Sequence, residues 1–210
     1  MANTFTKTRL YPPSAIGVIL RIARERACQE EQRTKRYMAE VLGITVERLT
    51  RMEAGTAQVP FEIAIEWCQV LEDYTALNKI KHIFGLELPP TDPRLLTSVP
   101  DQLVNFIRQA SGAIESAKKL LHMSTQIRPG DQGGEVMEAA MLREAEEVLD
   151  TKQAADCVLG ALSQNWGLSL TTLHSNWTQE AIADKVVISS ITQFEHISKE
   201  RFFADRARHL

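Results

Sequence analysis

Apolar residues recur at helical spacing along most of the chain. Ile16, Ile19, Leu20, Ala23 and Ala27 form the first such run behind Ser14, which is predicted to cap it, with Pro12 and Pro13 just upstream. Thr34 begins a second, short helix whose inner face is Met38, Ala39, Val41 and Leu42, and Gly43 supplies the positive φ that ends it. A tight turn leads to a third helix, capped by Thr45, with Leu49 and Met52 inward and Ala54 and Gly55 as its stop. Pro60 opens a fourth, carrying Ile63, Ile65, Trp67, Val70 and Leu71. Four or five short helices are therefore expected from residue 14 to residue 86.

Leu88 to Pro100 holds four of the eight prolines, and proline removes a backbone donor and biases its predecessor away from helix, so the boundary of the first domain falls there. Beyond it Leu103, Phe106, Ile107, Ala110, Ile114, Ala117, Leu120 and Leu121 keep helical spacing. Val136, Ala140, Leu142, Ala145, Val148 and Leu149 do so again, which predicts a helical hairpin. Its polar turn, Ser124 to Gly134, has no Lys-Ser or Lys-Thr pair after its glycines, as a phosphate-cradling loop needs, and reads as a connector. The chain is expected to be all-α: residues 1–88 as a first helical domain, 89–100 as a proline-rich linker, 101–166 as the hairpin and 167–210 as a C-terminal helical region.

Charge divides the chain unevenly. Residues 1–60 carry ten Lys and Arg against six Asp and Glu, a net of +4, and residues 61–210 carry fourteen against twenty-one, a net of −7. Any polyanion contact is thus expected in the first third. Cys28, Cys68 and Cys157 are odd in number and far apart, unlike a zinc site or a disulfide framework. The one early apolar run, Ala15 to Leu20, is too short for a signal peptide or a spanning helix. The expectation is a soluble protein of the reducing cytoplasm with no membrane partner.

Ala39, Gly43 and Leu49 sit at offsets of zero, four and ten. A small residue where two helices cross, a glycine where the chain turns and an apolar residue that pins the second helix to the first together project that second helix outward, and a helix fits the DNA major groove. At this point Thr34 to Pro60, TKRYMAEVLGITVERLTRMEAGTAQVP, resembles the phage repressor and Cro-like (XRE-type) helix-turn-helix class, with the likeness running from about Ile16 to Leu71. Its more specific features are the run Ala39 to Thr45, then Met52 to Gly55, then a proline opening the next helix.

That resemblance implies duplex DNA as partner and assigns roles. Base-edge contacts are expected from Thr45, Val46, Glu47 and Arg48, with Thr50 and Arg51 on the next turn; Arg51 suits guanine, since a guanidinium bonds both O6 and N7. Glu47 reads either as an acceptor from a cytosine amine or as a first-turn acid favoured by the helix dipole. Thr34, Lys35, Arg36 and Thr56 are expected at phosphates, although the family often has Gln where this chain has Lys35. Lys7 and Arg9 form either an N-terminal arm or a solvated end. Glu53 occupies a place where the family commonly buries a glutamate against an arginine of the first helix. Arg24 is the matching residue, but the connection to Thr34 is longer than usual and Arg21 is an alternative.

Thr178 to Glu195 also looks like a helix-turn-helix, with Ala183 placed as Ala39 is and Val187 where Gly43 stands. Ala183 to Glu195 spans twelve residues, however, where Ala39 to Glu53 spans fourteen, and a plain helical cap is the other reading. The hairpin reads as an association surface, since one such unit contacts only a few base pairs, so a homodimer is expected; the alternative is that its stripes merely pack on each other. His82, His122, His174, His196 and His209 lack metal-ligand or nucleophile spacing, and no Gly-x-Ser-x-Gly element is present. No enzyme, cofactor or metal is expected. Two functions stand: a sequence-specific transcriptional regulator, a repressor of phage or mobile-element type, and an antitoxin- or adaptor-like module whose acidic C-terminal region grips a protein partner.

Overall fold

The computed structural model describes residues 10–126 and 134–208, so Lys7, Arg9 and most of the Ser124–Gly134 connector lie outside the described residues. Within them the chain is all-α. In order it forms α1 (Ile16–Glu25), α2 (Lys35–Val41), α3 (Val46–Glu53), α4 (Phe61–Val70), α5 (Tyr74–Ile83), α6 (Val99–Ser124), α7 (Glu135–Trp166), α8 (Leu170–Ala183) and α9 (Ile191–Arg208). No described helix is long and apolar enough to cross a membrane. The chain divides into two compact units, with the division after Leu168. The first three segments read from the sequence therefore belong to one unit, and the C-terminal region is the other.

Helices α1 to α5 close around one core in which Leu20, Met38, Leu49, Trp67 and Ile80 are fully buried. Two local expectations need correcting. Ser14 does not cap α1: Pro13, with φ already fixed, starts a 3₁₀ turn over Pro13–Ala15, closed by Ala15 N–H on Pro12 O at 2.9 Å, so Ser14 lies inside the turn and gives no cap hydrogen bond. Val41 faces solvent. A helix of only seven residues buries one narrow stripe, here Met38 and Ala39 with Leu42 just beyond, and Val41 is off it.

The proline-rich segment is not loose within the first unit. It forms a 3₁₀ turn over Pro93–Thr97, buries Leu96, and is fastened by α7: Asn165 Nδ2 donates to Leu96 O at 2.9 Å and Thr91 Oγ1 lies 3.1 Å from Cys157 Sγ. Nearby, Glu87 pairs with Lys152. Burial works against ionising Glu87, but the Lys152 hydrogen bond and charge outweigh it and hold the carboxyl below its ordinary range. Asp156 has the opposite balance: burial, then the Glu87 charge, push it up against the pull of Lys152 and Lys81.

Helices α6 and α7 run antiparallel, and polar pairs set their register. Thr151 Oγ1 donates to Gln109 O at 3.0 Å, and Lys119 Nζ meets Glu144 at 3.0 Å. The Ser116 hydroxyl, then the Lys119 ammonium, bond to the Glu144 carboxylate and hold its pKa down.

The Asp156 balance predicts a pH-dependent effect. A carboxyl whose folded pKa is raised binds its proton more tightly in the fold than in the unfolded chain. Its contribution is therefore favourable at low pH and lost as pH rises through the folded value. Asp156→Asn is expected to raise the thermal midpoint at pH 7 and to leave it unchanged near pH ~3, where an unfolded aspartate of pKa ~3.9 is mostly protonated. Helical circular dichroism during thermal unfolding at the two pH values checks this; an equal effect at both would contradict it.

Candidate nucleic-acid interface

The α2–turn–α3 segment is built by three local devices. Thr34 Oγ1 accepts from Tyr37 N–H at 3.2 Å and begins α2, and Thr45 Oγ1 accepts from Arg48 N–H at 3.1 Å and begins α3. Between them Gly43 adopts φ 61°, and Ile44 N–H returns to Ala39 O at 2.9 Å, closing α2 so that the chain can reverse. Ala39 is buried at the crossing, and Leu49 and Met52 fix the underside of α3 to the core. At the far end Gly55 has φ 71°, and Thr56 N–H bonds Arg51 O at 2.9 Å.

A buried ion pair ties α3 to α1. Arg24, not Arg21, meets Glu53: Nε donates to Oε1 at 2.6 Å and Nη2 to Oε2 at 3.1 Å, and both residues are buried. The extra residues between α1 and α2 do not displace the arginine, because they fold into a 3₁₀ turn over Glu31–Arg33. Arg33 Nε donates to Ala27 O at 2.7 Å, and Gln32 Nε2 to Val70 O at 3.1 Å. The Arg24 Nη1 donates to Arg33 O, so one guanidinium joins α1, this turn and α3. Gly17 makes the crossing possible: a Cβ there would stand 2.2 Å from the Met52 carbonyl oxygen. Sequence reasoning passed over this residue, although a glycine within an apolar helical run is the signal of a close backbone approach.

The opposite side of α3 is open. Thr45, Val46, Glu47, Arg48, Thr50 and Arg51 are all exposed and form one ridge. Arg36, Arg48 and Arg51 are exposed, and among the described residues no salt bridge engages them. The residues expected at phosphates fare differently. Lys35 is half-buried, with Nζ 3.3 Å from Glu53 Oε2 and 3.4 Å from Thr50 Oγ1, so it braces α3 as well as carrying charge beside the ridge. Thr34 and Thr56 are exposed, but their hydroxyls donate to Glu31 O at 2.8 Å and Arg51 O at 3.1 Å. Arg36 is the cation with the fewest commitments.

In the second unit the register read from the sequence needs correcting. The positive φ lies at Lys185, 59°, and not at Val187; Ala181 is the buried small residue, its carbonyl accepting from Val186 N–H at 2.8 Å, while Ala183 is exposed. Five positions separate Lys185 from Ser190, the residue before α9, where two separate Gly43 from Thr45. Every described side chain of α9 is exposed, so this unit does not reproduce the pinned second helix of the first. No protein-family model matches the chain, and no curated protein or solved structure matches it either.

Two substitutions test the brace. Glu53→Ala strands the Arg24 charge in the core and is expected to cost ~3–5 kcal/mol. Gly17→Ala forces α1 away from the Met52 carbonyl, and overpacking of this kind costs about 1–3 kcal/mol or more. Urea unfolding followed by circular dichroism reads both; a loss below ~1 kcal/mol, the range of a surface pair, would show that the pair is not the fastening described.

Proposed function

We propose that this protein is a sequence-specific DNA-binding transcriptional regulator, a repressor of phage or mobile-element type that occupies an operator as a dimer. The observation that carries the reading is the α3 ridge: every position from Thr45 to Arg51 except Leu49 stands in solvent, while Leu49, Met52 and Glu53 lock the helix from below. A rigid exposed helix with Arg48 and Arg51 at its surface has the dimensions and donors that major-groove readout requires. The +4 charge of residues 1–60 supplies attraction to phosphate. The local motif from Thr34 to Pro60 supports the same reading. A cytoplasmic location and duplex DNA as partner follow from it.

The test begins with capture of genomic fragments by the purified chain and sequencing of what is enriched. On the recovered site, the logarithm of affinity is expected to fall linearly with the logarithm of salt concentration. Arg51→Ala is expected to cost ~1–3 kcal/mol on the cognate duplex and little on random DNA. Arg36→Ala is expected to weaken both alike. Absence of an enriched site, or a flat salt response in fluorescence anisotropy, would sink the proposal.

A further inference from the structure

His82, near the end of α5, is only 3% exposed, and both of its ring nitrogens are engaged. Leu10 N–H donates to Nε2 at 3.1 Å, and Nδ1 lies 3.0 Å from Glu87 O. These two partners settle where the hydrogen sits. A carbonyl oxygen only accepts, so Nδ1 carries the hydrogen; an amide N–H only donates, so Nε2 is bare. The ring is therefore a neutral imidazole in one tautomer. Through it a single side chain holds both the segment leading into α1, at Leu10, and the segment leaving α5, at Glu87. Tyr11 packs against the same ring, with the ring centres 5.9 Å apart and the planes at 83°.

We infer that His82 is a proton-operated latch: the neutral ring ties the segment before α1 to α5, and the imidazolium lets that segment go. A second proton can be taken only at Nε2, where it points at the Leu10 N–H. Donor then faces donor, and the Leu10 bond has to open so that the new N–H can reach an acceptor or water. The Glu87 bond survives, since Nδ1–H is present in both states, and the Tyr11 ring contact needs no particular proton. The change is thus confined to one backbone amide on the chain's path into α1. Histidine suits this task because its ordinary titration falls between pH ~5 and ~8. The charged groups at this junction are Lys81 beside His82 on α5, Glu87 itself, and Lys152 and Asp156 of α7, which act on Glu87 or feel its charge. Glu87 is paired with Lys152 and held ionised, so its carboxylate does not compete for the proton. Asp156, whose proton the fold favours, is the group to be told apart from His82. The latch does not depend on the DNA-binding reading.

Amide and imidazole NMR spectra of the full chain, recorded from pH ~8 down to the acid limit of the fold, test this. The expected result is that the Leu10 amide proton moves upfield as His82 gains its proton, with one midpoint for both signals, while circular dichroism shows the helices intact. Asp156→Asn is expected to keep that response. His82→Gln, whose amide can offer an N–H to Glu87 O and an oxygen to Leu10 N–H, is expected to hold the Leu10 signal in place throughout. A Leu10 amide that stays put while His82 titrates overturns the inference, as does a ring that remains neutral until the helices unfold. A folded His82→Gln that shows the wild-type Leu10 shift, or an Asp156→Asn that loses it, assigns the response to another group and overturns the latch as well. Should His82→Gln not fold, the paired wild-type titration decides alone.

Discussion

The buried contact between Arg24 and Glu53 is the constraint from which the geometry of the first unit follows. A carboxylate that leaves water has to be met by donors, and Glu53 is met by two guanidinium N–H groups and by the Lys35 ammonium. The same guanidinium bonds the Arg33 carbonyl. A hydrophobic pair in this place would bury as well but would not choose an orientation, because dispersion is indifferent to small rotations of α3 about its axis. Fork-to-fork bonding is not. The ridge from Thr45 to Arg51 is thus held at one angle relative to α1, with Gly17 setting the distance and the ion pair the rotation. Glu25 also faces Arg24, its Oε1 3.8 Å from Nη2, and Lys35 places its ammonium at the edge of the ridge beside Thr50.

What was legible in the sequence is what depends on neighbours in the chain. Thr34, Gly43 and Thr45 announce themselves because capping and positive φ act over three or four residues, and Leu49 and Met52 because burial of a helix follows its own period. Ser14 misleads for an equally local reason, since Pro13 begins the turn one residue earlier. The choice between Arg21 and Arg24 was not legible: it depends on how the residues after α1 are taken up, and the 3₁₀ turn at Glu31–Arg33 returns the chain to where Arg24 still reaches Glu53. Gly17 faces a carbonyl 35 positions away, a contact no local pattern encodes. In the second unit the left-handed residue is a lysine, so nothing in the composition marks the turn, and a register anchored on Val187 slips.

The proline-rich segment shows why composition and packing are different kinds of information. Proline excludes helix, and the segment from Leu88 to Pro100 contains none beyond the first turn of α6 and a 3₁₀ turn. Exclusion of helix says nothing about whether side chains from elsewhere seize the segment. Asn165 takes the Leu96 carbonyl, the Leu96 side chain packs beside Gly160, and Lys152 pairs with Glu87. The result is a segment fastened to the hairpin, where the sequence alone reads as a linker.

The α6–α7 seam contains polar pairs. Thr151 bonds the Gln109 carbonyl and Ser116 bonds Glu144 across it, while Phe106, Leu120, Met137 and Met141 of the same two helices are half-buried. Polar seam positions fix register at some expense of stability, because a one-turn slip would separate Ser116 from Glu144 and leave the carboxylate poorly partnered. A hairpin so arranged has its alignment decided by contacts within the chain.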